Sequence, residues 1–159
     1  MPLTHRPVVA ADLALLCTFP QGPEELYFMF PKASFPLTEA QLQASIDQRA
    51  NSTVVELNGR VVGFANFYEW ERGGRCSIGN VIVDPAARGQ GVARYLIEQM
   101  IAIAREHYQA KDVELSCFNQ NTAGLLLYPQ LGFVPYGIEE RSNQRGERVA
   151  LVQMRLQRA

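Results

Sequence analysis

The sequence predicts a mixed α/β (α+β) fold in one domain over residues 1–159. The expected core is a central, mostly antiparallel mixed sheet of about six to seven strands, flanked by about four helices. Three observations predict it. Two hairpin-like runs, rich in β-branched and apolar residues, follow one another between Ser52 and Val83. A long amphipathic run opens directly after them on the glycine turn "ARGQGVA". A strand-like stretch at 113–118 then follows that crossover, so it should lie parallel to 78–83.

Each element has its own signal. Residues up to Val8 and Val9 end a short first strand, and 10–19 read as a helix with Leu13, Leu16 and Cys17 on one face. The stretch "FPQGPEELYFMFPKASFPLT" holds four prolines and five aromatics, so it should be broken and only partly helical. Thr38 with Gln41 forms a capping box for a helix to about Ala50. Asn58-Gly59 suits a primed two-residue turn, and Gly73-Gly74 closes the second hairpin. In the long helix, to about Tyr108, Val92, Leu96, Met100 and Ile103 make one apolar stripe, with Ile97 and Ala104 beside it. A short helix from Asn121 to about Tyr128 is stopped by Pro129. Strands at 133–138 and 149–156, joined by "EERSNQRGER", complete the chain.

Composition excludes several functions. The formal net charge is −1 and no stretch is densely basic, so neither nucleic acid nor an anionic membrane is the expected partner. Cys17, Cys76 and Cys117 are odd in number and far apart, which fits neither a disulfide framework nor a zinc site. His5 and His107 are equally scattered, and no metal is expected. With no leader pattern and no long apolar run, the expected location is cytoplasmic.

The glycine turn carries the chemistry. Free N–H groups at a helix start hold a partial positive charge, and glycine lets an anion come close. A nucleoside-triphosphate loop would end in Gly-Lys-Ser/Thr, which is absent. A dinucleotide fingerprint would need a third glycine where Ala93 and Arg94 stand, and would follow the first strand of a parallel sheet. A third pattern fits in register: Arg88, then Gly91, then Ala93.

With that pattern the chain resembles the GNAT superfamily of acetyl-CoA-dependent N-acetyltransferases. "VIVDPAARGQGVARYLIEQM" is similar to the family's cofactor motif. "NQNTAGLLLYPQLGF" is similar to its second motif, and "HRPVVAADLALL" to its first strand and helix. The resemblance implies a splayed parallel strand pair holding acetyl-CoA. Its diphosphate would rest on the backbone of Arg88, Gly89, Gln90, Gly91, Val92, Ala93 and Arg94. Its pantetheine arm would pair with Val81, Ile82 and Val83. Asn121 would touch the cofactor, and Tyr128 would protonate the departing thiolate. Asn121 also suits a plain helix N-cap, Arg88 a solvated cation, and Tyr128 a packing ring. Cys117 lacks a companion base and reads as a buried thiol.

The expected reaction is direct attack by the primary amine of a small molecule or peptide on the acetyl thioester. The base is the weak point. Certain ribosomal-protein acetyltransferases of the family carry a Glu twelve residues before the Tyr, and Ser116 stands there instead. Glu114, on the same strand face as Ser116 by alternation, and Glu69 or Glu71 are the carboxylates that could act through water. Tyr27, Phe28, Phe30 and Phe35 are candidates for acceptor walls. Dimers are common in the family, so a homodimer is possible. Rival readings are a non-catalytic acyl-CoA-binding module, a thioester hydrolase, and a transferase for longer acyl groups.

Overall fold

The computed structural model describes residues 2–158. Seven strands form a single mixed sheet: β1 (Leu3–Pro7), β2 (Ala50–Leu57), β3 (Arg60–Glu69), β4 (Arg75–Val83), β5 (Asp112–Phe118), β6 (Phe133–Ser142) and β7 (Arg148–Leu156). Their spatial order is β1-β2-β3-β4-β5-β7-β6, and among the described residues only β4 and β5 pair in parallel. Five helices pack on the two faces: α1 (Leu13–Leu16), α2 (Pro23–Met29), α3 (Glu39–Asp47), α4 (Val92–Tyr108) and α5 (Thr122–Gln130).

The hairpin signals act as their sequence requires. Asn58 and Gly59 both take positive φ, 55° and 77°, the primed geometry that joins β2 to β3. α4 buries Val92, Leu96, Ile97, Met100 and Ala104 against the sheet, with Ile103 only half-buried at the rim. That face also takes up Phe67, Ile78, Leu115 and Cys117. On the opposite face Leu13, Leu16, Leu26, Met29 and Leu42 from α1–α3 cover Val54, Phe64 and Ile82.

Several boundaries differ from the sequence reading. The helix expected over 10–19 is a 3-10 turn, Ala10–Asp12, followed by the four-residue α1. Asp12 is turned back there to accept from Arg6 and from the Val9 N–H. The proline-rich segment contains a fifth helix: Gly22 precedes α2, and Pro23 occupies its first turn, where a missing N–H is harmless. Thr38 does accept from the Gln41 N–H, but the Gln41 side chain bonds Ser34 and Pro36, so only half of the capping box forms. α3 ends at Asp47 rather than Ala50, because Ala50 already pairs with Phe67. Pro129 does not stop α5. It sits in the last turn, where its missing N–H removes one bond only, and Gly132 at φ 100° ends the turn. β6 runs on to Ser142, four residues beyond expectation, because Glu139–Ser142 keep pairing with β7.

One irregularity matters for function. β4 and β5 pair only from Arg75↔Asp112 to Ile78↔Leu115. Beyond that β5 continues to pair with β7 and β4 with β3, so the two parallel strands part. Where they part, β4 bulges at Asn80, which takes φ 53°. The Asn80 side chain is fully tied down. It accepts from Ser45 of α3 (2.6 Å) and Asn66 of β3 (3.0 Å), and donates to the Met29 carbonyl at the end of α2 (3.0 Å).

Candidate active site

The split between β4 and β5 opens into a cavity of about 630 Å³. Its walls are the free edge of β4, the turn into α4, and the start and inner face of α5. Val81, Ile82, Val83, Arg88, Gly89, Gly91, Val92, Ala93, Arg94, Asn121 and Tyr128 all line it. Of the residues named from sequence for the cofactor or for catalysis, Gln90, Ser116, Glu114, Glu69 and Glu71 are not in this lining.

The floor is backbone. Gly89 and Gly91 take φ 78° and 81°, a left-handed conformation that costs a side-chain-bearing residue about 1–2 kcal/mol. A Cβ at either would meet nothing within 4 Å, so φ requires the glycines and the space above them is open. Among the described residues, no backbone N–H from Arg88 to Arg94 donates to a protein acceptor. The first donor after the turn is Tyr95, to the Gly91 carbonyl. These unpaired donors at the head of a 17-residue helix could hold a diphosphate-sized anion.

Arg88 is not a free surface cation. It forms a two-pronged bond with Glu25 of α2, at 2.9 and 3.1 Å, and holds the Glu25 carboxyl below the usual range. The pair straps α2 across the mouth of the turn. Glu25 and Phe28 thereby join the lining; Phe28 is one of the aromatic candidates, whereas Glu25 is a residue the sequence reading did not single out. Sixty-three positions separate Arg88 from Glu25, so no local pattern announces the pair.

Tyr128 stands deep in the cavity at 7 % exposure. Burial pushes its phenol above the usual tyrosine range, and nearby Cys117 pushes it the same way. Among the described residues its hydroxyl has no protein partner, while no fully buried side-chain polar atom is left unpaired. The hydroxyl therefore opens to the cavity. Gly124 fixes the ring: a Cβ there would lie 2.8 Å from Cys117 Sγ and 3.0 Å from both Tyr128 Cε2 and Asn121 Nδ2. Asn121 caps α5, accepting from the Gly124 N–H at 3.1 Å, and also lines the cavity. Burial pushes the Cys117 thiol up to about 12, so it is no nucleophile at neutral pH.

Glu114 shares a sheet face with Ser116 but sits at the closed end of the parallel pair, opposite Ser77. It is buried and held in place. Arg155 Nε donates to one oxygen at 2.9 Å, Tyr136 donates to the other at 2.6 Å, and Arg75 lies 3.7 Å away. Held in this way and absent from the cavity lining, Glu114 does not reach the split. Glu69 is engaged by Arg75 and Ser77. Of the aromatic candidates, Phe28 reaches the cavity. Tyr27 donates to the Ser142 carbonyl and packs on Phe118, Phe30 lies beside Arg49, and Phe35 is exposed. Among the described residues no cluster could hold a metal, and no helix is long and apolar enough to cross a membrane.

Known proteins resemble this chain in sequence and in fold. An L-methionine sulfoximine/L-methionine sulfone acetyltransferase of Salmonella typhimurium is 36% identical over 86 residues, 50% of this chain and 48% of that protein. The L-amino acid N-acyltransferase MnaT of Escherichia coli is 37% identical over 87 residues, 51% of this chain and 48% of that one. The chain thus spans about half the length of the curated relatives it matches. In three dimensions it is similar to yncA from Salmonella typhimurium, solved with its cofactor acetyl-CoA. The TM-score is 0.78 at 24% identity, over 98% of this chain and 93% of that one. Residues 15–133 match the model of the acetyltransferase (GNAT) family. With three quarters of its length matched, the chain belongs to the acetyltransferase (GNAT) family.

Proposed function

We propose that this chain transfers an acetyl group from acetyl-CoA to the primary amine of a small molecule or peptide. One observation carries the reading: a single cavity joins an amide-lined helix turn, an unpaired strand edge and a buried tyrosine hydroxyl. Coenzyme A fits that combination. The N–H groups at Arg88 to Arg94 suit its diphosphate, and Gly89 and Gly91 leave the approach open. The edge of β4 at Val81, Ile82 and Val83 offers main-chain groups to the amides of the pantetheine arm. The family membership and the two N-acyltransferase relatives support the same chemistry.

When bound, the cofactor supplies an acetyl thioester. The protein's part is to orient the amine, polarise the carbonyl from the β4 edge, and meet the charge of the leaving thiolate. Tyr128 is placed for that last role. Its elevated pKa keeps it protonated, but it is then a weaker acid than a thiol near 8.5. It therefore meets the developing thiolate first with a hydrogen bond. If the proton passes over, the one released by the amine restores the phenol. With Glu114 tied up, water is the proton acceptor. An α-amine of pKa about 8 costs only ~1.4 kcal/mol to deprotonate at neutral pH, against ~4.6 for a lysine-type amine. Among acceptors held alike, the less basic amine therefore has the smaller deprotonation cost.

The test is free-thiol release from acetyl-CoA against amino acids, N-terminal peptides, polyamines and aminoglycosides, with a Tyr128→Phe protein and a no-amine control. The expected result is amine-dependent release that falls about 100-fold in the variant. Release without amine would identify a hydrolase, and tight binding without release on any amine would identify a docking module.

A further inference from the structure

Arg49 stands apart from the other cations near the sheet. It lies between α3 and β2, and its guanidinium carbon is 5.6 Å from the Tyr68 ring centre and 6.0 Å from that of Phe30. Burial lowers its pKa from the ordinary arginine value, yet no carboxylate of the described residues lies within 4.0 Å of it. Arg6, Arg75, Arg88 and Arg155, by contrast, are each paired with an acid. Among the described residues the Arg49 side chain forms only one hydrogen bond, from Nη1 to Asn66 Oδ1 at 3.2 Å. A guanidinium carries five N–H donors. Among the described residues no fully buried side-chain nitrogen is left unpaired, so the unused donors reach open space.

Its position is as telling as its lack of an acid. A Cβ on Gly79 would lie 2.8 Å from Arg49 Nη1 and 2.7 Å from Tyr68 Cδ1. The guanidinium therefore rests on the bare backbone of β4, and glycine is what admits it. Gly79 immediately precedes the Asn80 bulge and stands two residues before Val81, where the cavity begins. Asn66 bonds both Arg49 and Asn80, so the cation is braced against the same bulge that shapes the split.

We propose that Arg49 binds the carboxylate of the acceptor, and that the acceptors are α-amino acids with a free carboxylate. This rests on the acetyl-transfer reading above. The lengths agree: two residues of strand cover about 6–7 Å. A guanidinium-to-carboxylate bond of about 2.8 Å, plus about 3 Å from carboxylate oxygen to α-nitrogen, gives about 6 Å. An amino acid held at Arg49 would thus extend its amine along β4 toward Val81, where the split cavity begins; Arg49 itself also lines a separate recess with Ile46, Asn51 and Ser52. Phe30 and Tyr68 would flank that carboxylate.

The experiment compares kcat/KM with acetyl-CoA for each of the twenty L-amino acids and for the matching L-amino acid amides. Wild-type protein is assayed beside Arg49→Met and Arg49→Lys, each first checked by thermal unfolding. The expected acid-over-amide ratio for the best substrate exceeds about 100 in wild type, carried mainly by KM. It falls to within about threefold of one in Arg49→Met and recovers in part in Arg49→Lys. A wild-type ratio near one overturns the assignment, as does a ratio that Arg49→Met leaves unchanged. The wild-type ratio is informative even if Arg49→Met does not fold. If neither acids nor amides nor any other amine is acetylated, the acetyl-transfer reading itself fails. Amides that react as well as acids remove only the role of Arg49.

Discussion

Gly124→Ala tests the geometry around Tyr128 directly. The added Cβ would sit 2.8 Å from Cys117 Sγ and 3.0 Å from Tyr128 Cε2 and Asn121 Nδ2. Ordinary carbon contacts lie near 3.5–4.0 Å, so the neighbours must yield by about 0.5–1 Å. Overpacking of this kind costs about 1–3 kcal/mol, while alanine in a helix returns about 1 kcal/mol relative to glycine. The net loss of stability should therefore be small, about 0–2 kcal/mol. The catalytic loss should be larger. A ring displaced by about 1 Å carries the hydroxyl with it, and a misplacement of that size can cost up to about 100-fold in kcat. Urea unfolding and steady-state kinetics give the two numbers. A cycle with Cys117→Ala, which removes the nearest obstacle, should show a coupling of at least about 1 kcal/mol in stability. Strict additivity in that cycle, with kcat unchanged in Gly124→Ala, would refute the packing argument.

Three further outcomes follow from the same geometry. Gly91→Ala forces alanine into φ 81° at about 1–2 kcal/mol of strain, so KM for acetyl-CoA should rise about tenfold, and Gly91→Asn should be milder; calorimetric titration with CoA checks both. Glu114→Gln should lose about 2 kcal/mol in urea unfolding through its bonds to Arg155 and Tyr136, while kcat per folded molecule stays within about threefold. A drop of a thousandfold would make it the base. Arg6 and the Val9 N–H hold the Asp12 carboxyl below its ordinary range, so its contribution is present above about pH 4 and lost as pH falls through the lowered value. The stability gap between wild type and Asp12→Asn should thus be full at neutral pH and close in acid. A gap independent of pH would contradict the pairing.

What was legible in the sequence was local. Asn58-Gly59 names its own turn because both residues tolerate positive φ, and the α4 stripe names its buried face. The glycine turn names a helix start because Gly89 and Gly91 both take positive φ just before α4. What was hidden depends on pairs distant along the chain. Arg88 meets Glu25 only because α2 folds over the turn, and α2 was obscured by the prolines around it. Glu114 read as a free carboxylate until Arg155, 41 positions away, closed on it. Arg49 carries no motif at all; its place is set by Gly79, Asn66 and two rings from three separate elements. The split follows from where parallel register ends at Ile78 and Leu115, a property of the whole sheet.

The central claim is that the α4 turn and the β4 edge are the seat of coenzyme A. Hydrogen–deuterium exchange with and without saturating CoA tests it most directly. The N–H groups from Arg88 to Arg94 have no protein acceptor among the described residues, so they should exchange fast in the free protein. With CoA they should slow markedly, together with the peptide covering Val81 to Val83. Exchange that CoA leaves unchanged over both segments, or protection confined to another part of the sheet, would contradict the account.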